Sequence, residues 1–242
     1  MAPCPAELYD AFYDALGKDY EAEARTVLRL VRSRRPGRRP PASLLDVACG
    51  TGRHLAAFGA TVRVTGVDLD ADMLRVAAGR CPKASLIRAD LRTLDLGTRF
   101  DAVTCLFGSV AYVRTLSGLR QAVALLARHV SPGGVLVVEP WYPPDTWDEE
   151  CARHGVLDLI VVDEPARKIV RTCRSSRRGQ VGLLDLDVLA ADADGTRHFR
   201  ERHRLGLFTI DQYVAAFEAA GLDTTVDEHG LWGYGLVLGL AP

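Results

Sequence analysis

Between residues 43 and 141 the chain alternates short apolar runs with amphipathic segments, and few architectures accept that pattern. "SLLDVA" (43–48), "VRVTGVDL" (62–69), "SLIRAD" (85–90), "FDAVTCLFGSV" (100–110) and "VLVVEPW" (135–141) read as strands. They are apolar almost throughout, not at every second residue, as strands buried on both faces must be. Helical patterns lie between them at 52–60, 70–80 and 116–130. Asp70 or Asp72 is placed to cap the second, and "SPGG" (131–134) to stop the third. Alternation with two-sided burial predicts an α/β fold: a doubly wound, Rossmann-like parallel sheet with helices on both faces.

Outside this stretch the pattern changes. Residues 18–33 place Ala24, Val27, Leu28 and Val31 at helical spacing, with acids early and arginines late, as the helix dipole favours. From 158 to 208 strand-like runs follow one another, separated by the turn-like "EPAR", "SRRG" and "DADG". That predicts an antiparallel β insertion, serving as a substrate cap or as the surface of a homodimer. Residues 209–222 return to a helix, with Thr209 or Asp211 at its start and Gly221 at its end, and 233–242 supply one more strand. The expected units are a helical cap and linker (1–42), a ligand-binding core (43–157), the insertion (158–208), and a helix and strand completing the core (209–242).

Several function classes are disfavoured. A net charge of −1 gives no general attraction to nucleic acid or to an anionic membrane. The basic run "RSRRPGRRPP" (32–41) is broken by prolines and a glycine, and reads as a solvated linker. Cysteines 4, 49, 81, 105, 151 and 173 form no CxxC or Cys/His pattern, so neither a zinc site nor a disulfide framework is expected. The first thirty residues carry Glu7, Asp10, Asp14 and Asp19 and are no signal peptide, and no apolar run is long enough to span a membrane. A cytoplasmic protein acting on a small molecule is the expectation.

In doubly wound sheets ligands bind beyond the carboxyl ends of the strands. "LLDVACGTGRHL" (44–55) ends the first strand with Gly50 and Gly52, where a bare backbone lets a ligand approach. Asp68 ends the second strand, where a carboxylate can accept both hydroxyls of a ribose. Asp90 ends the third, where one can accept an exocyclic amine. "GTGRH" lacks the third glycine of GxGxxG, and no GxxxxGK[ST] is present, so the constellation suits a nucleoside without a cradled pyrophosphate.

The runs "LLDVACGTG", "GVDLDADML", "ADLRTLD", "FDAVTCLFGSVAYV" and "VSPGGVLVVEP" follow in order over residues 43–140. This series resembles the motifs of class I S-adenosylmethionine-dependent methyltransferases. The resemblance implies S-adenosyl-L-methionine as cofactor. Ala48, Gly50 and Gly52 would line its methionine portion, Asp68 would hold its ribose, and Met73 would pack on its adenine. Asp90 and the backbone of Leu91 would read the adenine edge, with Phe107 beneath the sulfonium. More narrowly, "LYDAFYDALGKDYEAEA", "SVAYV", "VVEPWYPP", "RHFRERHRLGLF" and "YVAAFEAAGL" resemble enzymes that N-methylate nucleotide-linked deoxyamino sugars of the desosamine and mycaminose type. That implies N,N-dimethylation of a sugar amine in antibiotic biosynthesis. It also implies an N-terminal helix closing over the cofactor, to which Tyr13 and Tyr20 would belong.

Tyr112 follows the fourth strand, where an acceptor would sit. A phenol with a reference pKa of about 10 is a poor base near neutrality, so orientation of the amine is its expected role. His203 matches a histidine of the family pattern and is the second catalytic candidate. Ser109, Glu139, Trp141, Tyr142, Arg202 and Tyr234 are the candidates for the acceptor pocket. Arg197, Arg200, Arg202 and Arg204 share one ribbon, and arginine binds phosphate bidentately. The resemblance leads one to expect Gly-Arg-Gly-Leu before the last strand. The chain has Tyr234 there, which supplies neither charge nor fork, so a phosphate handle would fall to another arginine. Two other readings stay open on the residues: methyl transfer to another amine or hydroxyl, and noncatalytic binding of the cofactor.

Overall fold

The computed structural model describes residues 4–154 and 157–242. The first three residues, and residues 155–156 just before the expected start of the insertion, lie outside the described set. The chain runs α1 (Ala6–Ala15), α2 (Tyr20–Arg34), β1 (Ser43–Val47), α3 (Arg53–Gly59), β2 (Arg63–Asp68), α4 (Ala71–Arg80), β3 (Ser85–Arg88) and β4 (Phe100–Cys105). It continues with α5 (Leu116–Arg128), β5 (Val130–Val138), α6 (Pro144–His154), β6 (Leu157–Asp163), β7 (Arg167–Arg178), β8 (Val181–Asp192) and β9 (Gly195–Gly206). It closes with α7 (Ile210–Ala219), β10 (Asp223–Asp227) and β11 (Leu236–Leu240). The main sheet has the order β10-β11-β5-β4-β1-β2-β3. Its pairs from β5 to β3 are parallel, and β11 is antiparallel to both β5 and β10.

The expected doubly wound α/β core is present, and its two-sided burial explains why the strands read as unbroken apolar runs. Successive residues serve opposite faces. Leu44, Val135 and Val137 pack with α2 and α3, whereas Leu45, Val47, Leu136 and Val138 pack with α5 and α7. Asp70 caps α4, accepting from the backbone N–H groups of Asp72 and Met73, and Thr209 closes a capping box with Gln212 on α7.

The second sheet, β6-β7-β8-β9, is wholly antiparallel. Its inner face, with Ile160, Val162, Ile169, Val188 and Phe199, packs on Leu8, Ala11 and Phe12 of α1. The first helix is therefore held between the insertion and α4.

Four details differ from the sequence reading. Strand β4 stops at Cys105, because Phe107 and Gly108 turn left-handed and residues 109–113 form a 3-10 turn. Strand β5 begins at Val130 and runs through "SPGG", absorbing it as a register shift against β4. Helix α6, with Pro144 at its start, and the edge strand β10, "DTTVD", were not expected.

Candidate active site

A cavity of about 1630 Å³ opens at the carboxyl ends of the parallel strands, between the main sheet, α1 and the insertion. It straddles β1 and β4, where the strand order reverses and a doubly wound sheet leaves a crevice. Strand β11 runs opposite to its neighbours, so the residues preceding it, Trp232 and Tyr234, also reach the cavity.

The first wall is the turn after β1. Ala48, Gly50 and Gly52 all have positive φ (60°, 54° and 78°), which coils the chain tightly before α3. The two glycines do different jobs. A Cβ on Gly50 would meet nothing within 4 Å, and Gly50 lines the cavity. A Cβ on Gly52 would lie 3.0 Å from the Ala77 Cβ, so Gly52 seats α3 against α4 and does not reach the cavity. Asp68 at the end of β2 ties the turn down. Its Oδ2 accepts from the Gly50 N–H at 2.8 Å and its Oδ1 from the Asp70 N–H at 2.9 Å. Burial pushes the Asp68 carboxyl up.

Asp90 caps a short 3-10 turn, accepting from the Arg92 N–H at 2.9 Å, and is forked by the Arg92 guanidinium. The Arg92 hydrogen bonds hold its carboxyl below the usual range. Leu91 and Met73 line the same end, joined by Leu69, an exposed leucine that sequence reasoning missed.

Phe107 and Glu139 meet in the middle. Phe107 holds a left-handed backbone (φ 57°), costing roughly 1–2 kcal/mol for a residue with a side chain. Its N–H donates to Glu139 Oε2 at 2.5 Å, and its ring meets that of Tyr13 edge-on at 4.8 Å. Glu139 is buried, and desolvation pushes its carboxyl up to about 7. Tyr13 lines the cavity. Tyr20 does not: its ring packs against His54 at 4.9 Å and lies under the Arg53 guanidinium.

Another wall of the cavity is aromatic. A Cβ on Gly108 would come within 2.6 Å of the Trp141 ring, so the bare glycine is what lets Trp141 stand there. Trp141, Tyr142 and Tyr234 follow in contact, with centroids 4.8 Å and then 4.3 Å apart, and Trp147, unanticipated, backs them. Ser109 lines the cavity next to Tyr112.

Tyr112 Oη lies 2.8 Å from His203 Nδ1, and His203 Nε2 lies 3.3 Å from Glu201 Oε2. A carboxylate can only accept, so Nε2 carries a proton, and in the neutral ring Nδ1 is then the acceptor for the tyrosine hydroxyl. Desolvation by the surrounding cavity wall raises the Tyr112 phenol above its ordinary value and keeps it protonated, although half of the residue's surface stays open to the cavity.

The arginine ribbon is mostly neutralised. Arg197 pairs with Asp192, Arg200 with Asp187 at 2.6 Å, and Arg202 with Asp185 at 2.5 Å, all acids of β8. Arg202 still lines the cavity rim. Arg204 lines it too and has no ion pair among the described residues.

Sequence reasoning also missed what fastens α1 over the cavity. Asp10 accepts from the Thr51 hydroxyl at 2.6 Å and pairs with Arg80 at 2.6 Å, Glu7 pairs with Arg75 at 2.5 Å, and Asp14 pairs with Arg53. These are isolated polar residues in the sequence, and no local pattern identifies them.

Residues 44–134 match the methyltransferase domain family. The chain is 43% identical over 97% of both lengths to a dTDP-3-amino-3,4,6-trideoxy-alpha-D-glucopyranose N,N-dimethyltransferase of Streptomyces venezuelae. It is 39% identical, over 99% of its own length and 93% of the relative's, to a dTDP-4-amino-2,3,4,6-tetradeoxy-D-glucose N,N-dimethyltransferase of Saccharopolyspora spinosa. Among solved structures it superposes on Streptomyces venezuelae DesVI with a TM-score of 0.90 at 41% identity, covering both chains fully. It matches S-adenosylmethionine-bound CalS10, an amino pentose methyltransferase of Micromonospora echinaspora, at 0.84 and 40% identity over 97% of each chain.

Proposed function

The chain belongs to the S-adenosylmethionine-dependent sugar N-methyltransferases, and from that premise we propose that it methylates, twice in succession, the amino group of a deoxy sugar carried on dTDP. The observation that carries the reading is the cavity itself. A nucleoside-binding edge (Asp68, Asp90) and an aromatic acceptor wall (Trp141, Tyr142, Tyr234) face one space, with Phe107 and Tyr112 between them.

The residues suit the cofactor. Gly50 leaves room that a Cβ would fill, and each Asp68 oxygen already accepts one N–H and keeps a further lone pair for a ribose hydroxyl. Ala48 and Gly50 would line the methionine portion, Met73 and Leu69 the adenine, and Asp90 with Leu91 its edge. When bound, S-adenosylmethionine supplies a methyl group activated by the positive sulfur.

The protein's part is alignment and proton handling. Holding donor and acceptor together is worth roughly 7–11 kcal/mol of barrier. Tyr112 gives its hydroxyl hydrogen to His203 Nδ1, so its oxygen lone pairs can take an N–H of the amine and orient it. After transfer the ammonium product passes a proton to Tyr112 Oη as the tyrosine's own proton moves to His203. The resulting imidazolium is steadied by Glu201. A neutral secondary amine is left, ready for the second round. Trp141 Nε1, buried without a partner among the described residues, is a donor that substrate oxygen would satisfy.

The same reading extends to assembly and location. Leu159, Val161, Val170 and Leu189 form an exposed apolar row on the outer face of the insertion, with Val161 opposite Val170 and Val170 opposite Leu189. A second copy of the chain is the proposed occupant. Cysteines free of disulfides suit the cytoplasm, and no helix among the described residues is long and apolar enough to cross a membrane.

Incubation with methyl-labelled S-adenosylmethionine and dTDP-linked 3-amino and 4-amino deoxy sugars tests the reading. Label in the nucleotide-sugar fraction supports it; label reaching none of them, while free amines or hydroxylated acceptors take it up, overturns it.

A further inference from the structure

Behind the cavity wall one cation is enclosed that the chemistry above does not use. The Lys18 side chain has no solvent exposure, and its Nζ lies 2.7 Å from both carboxylate oxygens of Glu23. It also stands over the rings of Phe107 at 4.3 Å, Trp232 at 4.7 Å and Tyr20 at 5.0 Å. Glu23 accepts from Trp232 Nε1 at 2.8 Å and lies 2.6 Å from His54 Nε2.

The knot gathers five separate segments: the α1–α2 connection, α2, the first turn of α3 just past the glycine turn, the loop after β4 and the loop before β11. Phe107 and Trp232 line the cavity, whereas Lys18, Glu23 and His54 do not. The ammonium therefore touches two rings that also line the cavity and lie against each other, with centroids 6.3 Å apart.

Stability alone is a poor reason for this arrangement. A buried ion pair is often no better than apolar residues of the same shape, because desolvation offsets the attraction. It does fix geometry, since a cation among ring faces and one carboxylate has few places to sit. Phe107 needs such fixing. Its backbone is left-handed, and Glu139 at its N–H, Tyr13 and Trp232 beside its ring and Lys18 on its ring hold it in place.

We propose that Lys18 is a positioning residue, whose ammonium locks the rings of Phe107 and Trp232 and so couples the seating of the α1–α2 cap to the shape of the cofactor wall. The inference rests on the reading that this cavity takes S-adenosylmethionine.

The test compares Lys18→Met, which keeps length and loses charge, with the double variant Lys18→Met/Glu23→Gln, which also removes the abandoned carboxylate. Thermal unfolding is measured beside calorimetric binding of S-adenosylhomocysteine, and KM for S-adenosylmethionine beside KM for the sugar. The single variant is expected to lose stability, because Glu23 is left buried and under-compensated. The double variant should regain a Tm within about 2 °C of the parent and still bind S-adenosylhomocysteine about tenfold more weakly. KM for S-adenosylmethionine should rise by the same factor, with KM for the sugar unchanged. Parent-like affinity in the single variant, or recovery of affinity together with Tm in the double, overturns the inference. Failure of the unmodified protein to bind S-adenosylhomocysteine would instead remove the cofactor reading beneath it, a result the parent titration separates from the others.

Discussion

Gly50 and Gly52 stand two residues apart in one turn, and alanine at each should produce opposite signatures. Both backbones are left-handed, so either substitution costs roughly 1–2 kcal/mol before any contact is considered. At Gly50 nothing else is added, because its Cβ would meet no atom within 4 Å. At Gly52 the methyl would lie 3.0 Å from the Ala77 Cβ, 3.2 Å from the Ala77 Cα and 3.4 Å from Cys81 Sγ. The near atoms are helix backbone and its first side-chain carbon, so α4 itself must shift, which adds roughly 1–3 kcal/mol of overpacking. The expected loss is about 3 kcal/mol for Gly52→Ala and about 1 kcal/mol for Gly50→Ala. At about 2–4 °C per kcal/mol for a chain of this size, Tm falls by about 6–12 °C and about 2–4 °C respectively. Binding should reverse the order. The Gly50 methyl projects into the cavity and should weaken S-adenosylhomocysteine by about tenfold or more, or at least 1.4 kcal/mol. The folded Gly52→Ala protein should bind nearly as the parent does. Urea melts paired with calorimetric titration at low temperature separate the two quantities. A Gly52→Ala protein that is stable but binds poorly, or a Gly50→Ala protein that binds normally, would refute the division of labour.

Three other outcomes follow from the same geometry. Glu139 has a folded-state pKa raised from 4.5 to about 7, so ionising it opposes folding, and its burden grows as pH rises from about 4.5 to about 7. Glu139→Gln, which can still accept from the Phe107 N–H, should therefore stabilise by up to about 3 kcal/mol at pH 8 and by nothing near pH 4; Asp46, raised to about 6 by burial, leaves part of the parent's slope in place. A variant whose advantage is equal at both pH values would contradict that assignment. Tyr112→Phe removes the oxygen that meets the amine, and is expected to lower kcat by about 100-fold with KM for S-adenosylmethionine unchanged; steady-state kinetics read both, and near-parent kcat would argue against the relay. For assembly, Val161→Glu with Leu189→Glu should turn a dimer into a monomer by light scattering, and a parent that is itself monomeric would remove the proposed occupant of that face.

The parts of this molecule legible in the sequence are those governed by local periodicity. The apolar runs at 43–48 and 135–141 had to be two-sided strands, and Asp68 ends its strand as the pattern requires, whereas Asp90 sits two residues past the end of β3 as the cap of the next turn. What escaped depends on topology. Trp232 reaches the cavity only because β11 runs antiparallel, and a loop before a last strand looks the same either way. Strand β10 escaped because Val226 is its only large apolar residue, as an edge position permits. The arginine ribbon suggested phosphate, yet the cross-strand register sets Arg200 against Asp187 and Arg202 against Asp185, and those acids belong to a different run. Lys18 illustrates the limit best: nothing in "GKDYEAEA" marks a cation that ends up caged by rings far along the chain.

The most direct test of the central claim is the intact mass of the product at full conversion, from the unmodified protein, S-adenosylmethionine and each dTDP-linked 3-amino and 4-amino deoxy sugar. One acceptor should gain two methyl groups, with a one-methyl species appearing first and then consumed. An acceptor that stops at one methyl with cofactor in excess would contradict the second transfer. No gain on any amino sugar, by a protein that still binds S-adenosylhomocysteine, would contradict the assignment of the acceptor itself.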